Sequence, residues 1–393
     1  MSPLGVGVER FEENLFRGSH GIVRRTEEQR QDLAVQVYAP VSGFVPEDHF
    51  SSLELRRQDP YVTFGLVAVR EAVASAGLLG HVDPYRLGVH MAPGLGGVST
   101  VCDEFETHRT AGSRRVSPML IPKWVGNMLS GVAAIELGAK GPSLSHVSAC
   151  ASSTMSIGEG LRAIRHGYAD ALVCGGAEMM GRVPVMAGFQ NLRALSLADD
   201  PDRASLPFDK DRGGFVMGEG AAAVVVERED HARARGARVL ARLTGYGSTT
   251  DAHHITAPAE DAEAIRRAIS DALAEAGPTS GVTHVNAHGT GTVRNDLVES
   301  RAIAAEFDET TPVTSTKSMT GHLMGAAGAI EMIACVLALT RGEVPATVGT
   351  TELDPGIRVD VVTGASRRTE LERAVSLSLG FGGHNTCVVV DRP

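Results

Sequence analysis

Two periodicities alternate along this chain. Short β-branched or small apolar runs, such as Ala171 to Cys174 (ALVC) and Ala223 to Val226 (AVVV), predict buried strands; longer amphipathic stretches, such as Thr154 to His166 and Ala262 to Ala276, predict helices. Strands alternating with helices point to an α/β fold with largely parallel sheets covered by helices. The sizeable polar interruptions fall at about 196–214 and about 247–262. A coarse self-similarity is superimposed on this pattern. SACASSTMSIGEGLRAIRHG followed by ADALVCGG in the first half is matched by TSTKSMTGHLMGAAGAIEMIACVLALTRG and a strand-like segment in the second. Each is a small-residue loop opening a long helix, so two related α/β halves are expected, 1–235 and 236–393.

Composition narrows the function. The 393 residues suffice for two half-domains, and 45 glycines signal many close backbone approaches. Lys+Arg number 37 against 47 Asp+Glu, a net charge of −10, so the chain has no footprint for nucleic acid and an acidic partner must find a local basic patch. Five scattered cysteines (Cys102, Cys150, Cys174, Cys335 and Cys387) form no C-x-x-C pair, which argues against a disulfide framework or a zinc site and fits a reducing cytoplasm. The N-terminus carries no basic segment followed by an apolar core, and no apolar run is read as a membrane span.

Four short segments carry candidate chemistry. Cys150, in VSACASST, precedes an amphipathic helix whose macrodipole and free N–H groups favour thiolate, the profile of a nucleophile; a small buried hydrophobe is the plainer alternative. His288, in VNAHGTGT, ends a β-run at a Gly/Thr turn, where α/β folds handle ligands. Lys317 and His322 lie in STKSMTGHLMGAAGAIE, ahead of a glycine-rich helix. In GFGGHN, three glycines allow a strained turn able to aim backbone N–H groups at a substrate oxygen. His253 and His254 are adjacent and the other histidines lack regular i, i+4 partners, so no metal site is expected; GLGG at 94–97 lacks the spacing of a dinucleotide fingerprint.

Taken together and in this order, SACASS, NAHGTGT, KSMTGHLMGAAGAIE and GFGGHN resemble the elongating β-ketoacyl-[acyl-carrier-protein] synthases of the thiolase superfamily. PFDKDRGGFVMGEGAA at 207–222, DAHHITAP at 251–258 and GAEMM at 176–180 extend the resemblance over nearly the whole chain. It implies a thiolase-like fold, two duplicated halves in five α-β-α-β-α layers, and usually a dimer. It implies a decarboxylative condensation of malonyl-[acyl-carrier-protein] with a Cys-bound acyl chain, giving a 3-oxoacyl product two carbons longer. Cys150 matches the nucleophile, His288 and His322 the two histidines that stabilise the enolate, and Lys317 the lysine supporting the second histidine. The backbone N–H groups of Cys150 and Phe381 match the oxyanion hole, and the Phe381 ring the gate. Asn286 and Glu331 match positions near a structural site for a monovalent cation. No other cofactor is implied, since phosphopantetheine arrives on the carrier protein. Arg56 and Arg57 match a basic docking helix for the acidic carrier, with Arg114, Arg115 and Lys123 as second candidates. Ile121 falls where the family lines its acyl pocket, and Trp124 beside it is expected to shorten or reshape that pocket or to pack at a dimer contact.

Two departures stand out. The family usually begins with a strand ahead of a segment like SPLGVGVERFEENLFRG, so a first strand is missing here, expected at the centre of the first sheet; a truncated start would expose two strand edges. Leu379 occupies a position that is usually aromatic, loosening the gate's second layer. The leading reading is a free-standing condensing enzyme of fatty-acid or polyketide elongation. A catalytic subunit of a specialised polyketide or polyene heterodimer is the alternative. A non-catalytic scaffolding subunit, a thiolase-like acyltransferase and a Cys-His-Asn initiating synthase fit the residues less well.

Overall fold

The computed structural model describes all residues but Ser280. Runs of small and β-branched residues form two mixed sheets, one from each half of the chain. The first contains β1 (Leu87–Ala92), β2 (Ser143–Leu144), β3 (Ala171–Glu178) and β4 (Gly220–Glu227), in the order β2-β1-β3-β4, with only β4 antiparallel to its neighbour. The second contains β5 (Arg242–Thr250), β6 (Val282–Asn286), β7 (Pro312–Thr314), β8 (Asp360–Val361), β9 (Leu371–Gly380) and β10 (His384–Asp391), in the order β8-β7-β6-β9-β10-β5. Numbered within its own half, the first sheet runs 2-1-3-4 and the second 4-3-2-5-6-1; β7-β6-β9-β10 in the second repeat the pattern of β2-β1-β3-β4 in the first, and the second half's first strand, β5, closes the edge beside its last, β10.

This symmetry corrects the expectation of a gap at the centre of the first sheet. β1 pairs directly with β3 over six residues, leaving no central vacancy. The place equivalent to β5 is the outer edge of β4, where the Met1 carbonyl accepts a hydrogen bond from the Ala221 N–H at 2.9 Å and the Met1 side chain is buried.

Helices complete five layers. α1 (Pro60–Ala76) and α2 (Met128–Leu137) cover the outer face of the first sheet. α3 (Ser152–Arg165) and α6 (Ala327–Arg341) lie side by side between the sheets. α4 (Glu263–Ala276) and α5 (Val293–Glu306) cover the outer face of the second. α1 starts where its sequence says: Asp59 caps the Tyr61 N–H, Pro60 occupies the first turn, and Gly77 ends it in the left-handed region. α3 and α6 approach closely because Gly328 has no side chain; a Cβ there would strike Thr154 Oγ1. The stretch Met324–Arg341 is, by length and composition, apolar enough to cross a membrane, contrary to the reading that no such run exists. It is 72% buried, as the core helix between two sheets must be.

Candidate active site

The loops opening α3 and α6 are built alike. Ala149–Ala151 forms one 3-10 turn leading into α3, with Ala149 at φ +51°; Met324–Ala326 forms another leading into α6, with Met324 at φ +46°. Such left-handed backbone is costly for residues with a Cβ and gives each turn a sharp elbow. The first elbow presents Cys150. Between the elbows, the Glu178 carboxylate at the end of β3 accepts from Gly94 N (2.6 Å), Leu95 N (3.1 Å) and Gly325 N (3.1 Å), tying the first half's glycine loop to the second half's elbow. Burial pushes this carboxyl up to about 7 while the amides pull it back.

The second half brings the histidines. His288 follows β6, and its loop is clamped from α5: Glu299 accepts from His288 N (2.6 Å) and Gly289 N (2.8 Å), and Asp296 accepts from Gly291 N and Phe208 N. His322 precedes the second elbow, its ring 5.2 Å from the Phe215 ring and 5.2 Å from the His288 ring. Cys150 Sγ and one ring nitrogen of each histidine all lie within 4.8 Å of one another. The long-range fold thus assembles three residues separated by up to 172 positions in the chain.

Hydrogen bonds choose the tautomers. Lys317 Nζ, which can only donate, lies 3.2 Å from His288 Nδ1 and also donates to Glu331 Oε1. The Met324 N–H donates to His322 Nδ1 at 3.3 Å. Each Nδ1 is therefore an acceptor, and the proton of each neutral ring sits on Nε2. Burial first, then Lys317, hold both imidazoles well below their usual range, so they stay neutral at pH 7. Glu331 is pushed up to about 7 by burial, against the pull of Lys317.

The thiol departs from the sequence expectation. Cys150 does sit at a helix start, yet it is only 7% exposed within an apolar cluster containing Met180, Met186, Leu195, Phe215, Met217 and Met324. Burial pushes it up to about 12, offset in part by Lys317 and by the Phe381 N–H directed at Sγ. Desolvation outweighs the macrodipole here, so the resting group is a thiol rather than a thiolate. Phe381 occupies the turn between β9 and β10, which Gly382 (φ +91°) and Gly383 (φ +78°) make possible. Gly382 N donates to Ile255 O at 2.8 Å, so this turn is pinned to the DAHHITAP loop. Leu379 packs into the aliphatic cluster beneath it.

Other candidates fall elsewhere. Asn286 Oδ1 and Nδ2, Ser376 Oγ and Glu331 Oε2 are buried without hydrogen-bond partners, and Asn286 and Ser376 are cross-strand neighbours on β6 and β9. Arg56 and Arg57 are exposed at the end of the helix Ser52–Arg57; with exposed Arg114 and Arg115 and half-buried Lys123, they take part in no ion pair among the described residues. Ile121 and Trp124, on the helix Leu120–Trp124, are 56% and 47% exposed and lie outside the cluster around Cys150. Sequence reasoning singled out neither Glu178, Glu299 nor Met324. For the two glutamates the available signal is an acid set within an otherwise apolar strand or helix face, which burial makes costly unless N–H groups meet it; for Met324 there was none.

Residues 1–232 match the family model "Beta-ketoacyl synthase, N-terminal domain" and residues 240–351 match "Beta-ketoacyl synthase, C-terminal domain". The chain is 41% identical over 394 aligned residues to the 3-oxoacyl-[acyl-carrier-protein] synthase 2 of Staphylococcus aureus (strain COL), covering 99% of this chain and 95% of that protein. A beta-ketoacyl synthase from Burkholderia phymatum STM815 superposes with a TM-score of 0.93 at 32% identity, over 100% of this chain and 97% of that one. The ishigamide ketosynthase/chain length factor superposes with a TM-score of 0.91 at 33% identity, over 100% and 96%. The two sheets thus build the fold of these ketosynthase structures, and the chain belongs to the beta-ketoacyl synthase family.

Proposed function

We propose that this chain catalyses the decarboxylative condensation of malonyl-[acyl-carrier-protein] with an acyl group carried on Cys150. The observation that carries the reading is the convergence of Cys150, His288 and His322 within 4.8 Å, with both imidazoles neutral and both Nδ1 atoms engaged. In the first half-reaction Cys150 Sγ attacks the acyl thioester. The Cys150 and Phe381 N–H groups receive the tetrahedral oxyanion, and the thiol proton leaves with the pantetheine sulfur. In the second, the Nε2–H groups of His288 and His322 donate to the malonyl thioester oxygen. That oxygen gains enolate charge as carbon dioxide departs. Fixed N–H donors in a buried site need no reorganisation, which is why neutral rings suit this step. The carbanion attacks the Cys150 thioester, the Cys150 sulfur leaves as thiolate and takes up one proton from solvent to regenerate the thiol, and the 3-oxoacyl chain departs on its carrier. Lys317 holds His288 in its tautomer and acts on His322 through its charge. The Phe381 ring, half-buried on its pinned turn, gates the site.

No redox or nucleotide cofactor enters this scheme. The unpartnered oxygens of Asn286, Ser376 and Glu331 suit a monovalent cation, which would neutralise a carboxylate that Lys317 only half engages. The acidic carrier docks on unpaired Arg56 and Arg57, with Arg114, Arg115 and Lys123 extending the basic face. The exposed β2 edge and the neighbouring exposed Ile135, Leu144, Val147 and Trp124 suit a second subunit, identical or related, which would cover Ile121 and Trp124 and bring them to an acyl pocket. The ishigamide complex's pairing with a chain length factor favours the related-subunit alternative; the intact Cys150, His288 and His322 speak against a merely scaffolding role. Five free cysteines accord with a cytoplasmic setting.

Intact-mass spectrometry after incubation with a panel of acyl-carrier proteins tests the reading. Acylation of the wild type and not of Cys150→Ala is expected; a folded sample that no donor acylates, alone or with a related subunit, overturns it.

A further inference from the structure

Met324 touches both Cys150 and His322. Its thioether Sδ lies 3.7 Å from Cys150 Sγ and accepts from the thiol, while its backbone N–H donates to His322 Nδ1. It is 5% exposed and sits at φ +46°, a conformation a side-chain-bearing residue adopts at a cost. Ala149, at the equivalent place in the first elbow, is as strained but has only a methyl group. The thioether is an unbranched, flexible filler and a weak hydrogen-bond acceptor, so it packs against the resting sulfur without locking it. Yet an acyl group bonded to Sγ must place its first carbons among these same apolar side chains.

We propose that Met324 is a specificity-determining gate: its side chain holds the resting thiol and turns aside for the incoming acyl group, limiting the bulk accepted beside the thioester carbonyl. This rests on the condensing reading above. The substrate class that follows is straight-chain acyl thioesters, with α-branched ones disfavoured because the branch falls where Sδ stands. A pocket that must reject one methyl group by crowding discriminates by roughly 10- to 200-fold.

The test measures initial rates of Cys150 acylation by butyryl- and isobutyryl-[acyl-carrier-protein], by intact mass, beside the rate of Cys150 alkylation by iodoacetamide. In Met324→Ala the isobutyryl-to-butyryl ratio is expected to rise about tenfold. In Met324→Leu, which keeps the bulk and loses the sulfur, the ratio is expected to stay within about twofold, with faster alkylation because the neutral thiol has lost its acceptor. Met324→Gly relieves the left-handed backbone as well as the bulk, so it serves if the alanine variant does not fold, and the same rise in ratio is expected. A ratio unchanged in a variant that still takes butyryl overturns the gate and leaves the condensing reading standing. A wild type that is alkylated at Cys150 but acylated by neither donor overturns both.

Discussion

The two elbows share a backbone and differ in what they present. Ala149-Cys150-Ala151 presents a thiol at the start of α3; Met324-Gly325-Ala326, at the start of α6, puts a glycine where the cysteine would be. Gly325 contributes its N–H to Glu178, and a Cβ there would strike the backbone of Pro93 and Gly94. On the proposed reading, one copy of the device therefore does chemistry. The other serves as a wall and a support, lending a thioether to the thiol and an amide to His322. Repeated architecture supplies two equivalent helix starts, and the division of labour between them is written in single residues.

Breaking the first elbow has the largest expected effect. Cys150→Ala should lose acylation by about 10⁴-fold or more, while malonyl decarboxylation, whose donors His288 and His322 are untouched, stays measurable. Release of carbon dioxide and intact mass read the two separately. Next comes the charged pair behind the second elbow. Lys317→Met leaves Glu331 buried and unpaired, an expected loss of about 3–5 kcal/mol in denaturant unfolding, and adding Glu331→Gln should recover part of it. A double variant no more stable than the single would show that the pair does not work as a unit. Smaller again is Gly325→Ala, expected to cost about 1–3 kcal/mol because its new methyl meets backbone, whereas Cys150→Gly should cost less. Equal losses would mean the elbows are not differentiated by packing.

A last prediction concerns the protonation of the thiol. With Cys150 pushed up to about 12, the thiolate fraction rises with pH throughout the neutral range, so iodoacetamide alkylation should accelerate about tenfold per unit from pH 6 to pH 9 without a plateau. Lys317 lowers this group, so its removal should slow alkylation at any fixed pH in that window. A plateau near neutrality would instead show that the helix start dominates over burial.

Much of this site was legible in local sequence. The small-residue run around Cys150, the Gly/Thr turn after His288 and the three glycines around Phe381 specify tight backbone by their own sterics, and the structure brings Cys150, His288 and the Phe381 N–H of these loops together. The alternation of strands and helices likewise emerges from period-2 and period-3.6 patterns that each segment carries alone. Pairing did not emerge in this way. The edge position opposite Met1, in place of a central gap, follows from direct β1–β3 hydrogen bonding, and no segment encodes its neighbour's identity.

The sequence by itself determined the two related halves, the order of the motifs and the identities of Cys150, His288, His322 and Lys317, because these depend on residue type and short-range geometry. Only the tertiary structure decided their charge states and surroundings. Cys150 is a thiol at rest because Met180, Met186, Met217 and Met324 arrive from distant parts of the chain to exclude water. His288 and His322 are neutral because burial and Lys317 both oppose protonation. Trp124 stands on the surface because its short helix packs at the edge of the first half rather than beside the nucleophile. Solvation and long-range contact set each of these outcomes, and neither is a property of a segment read in isolation.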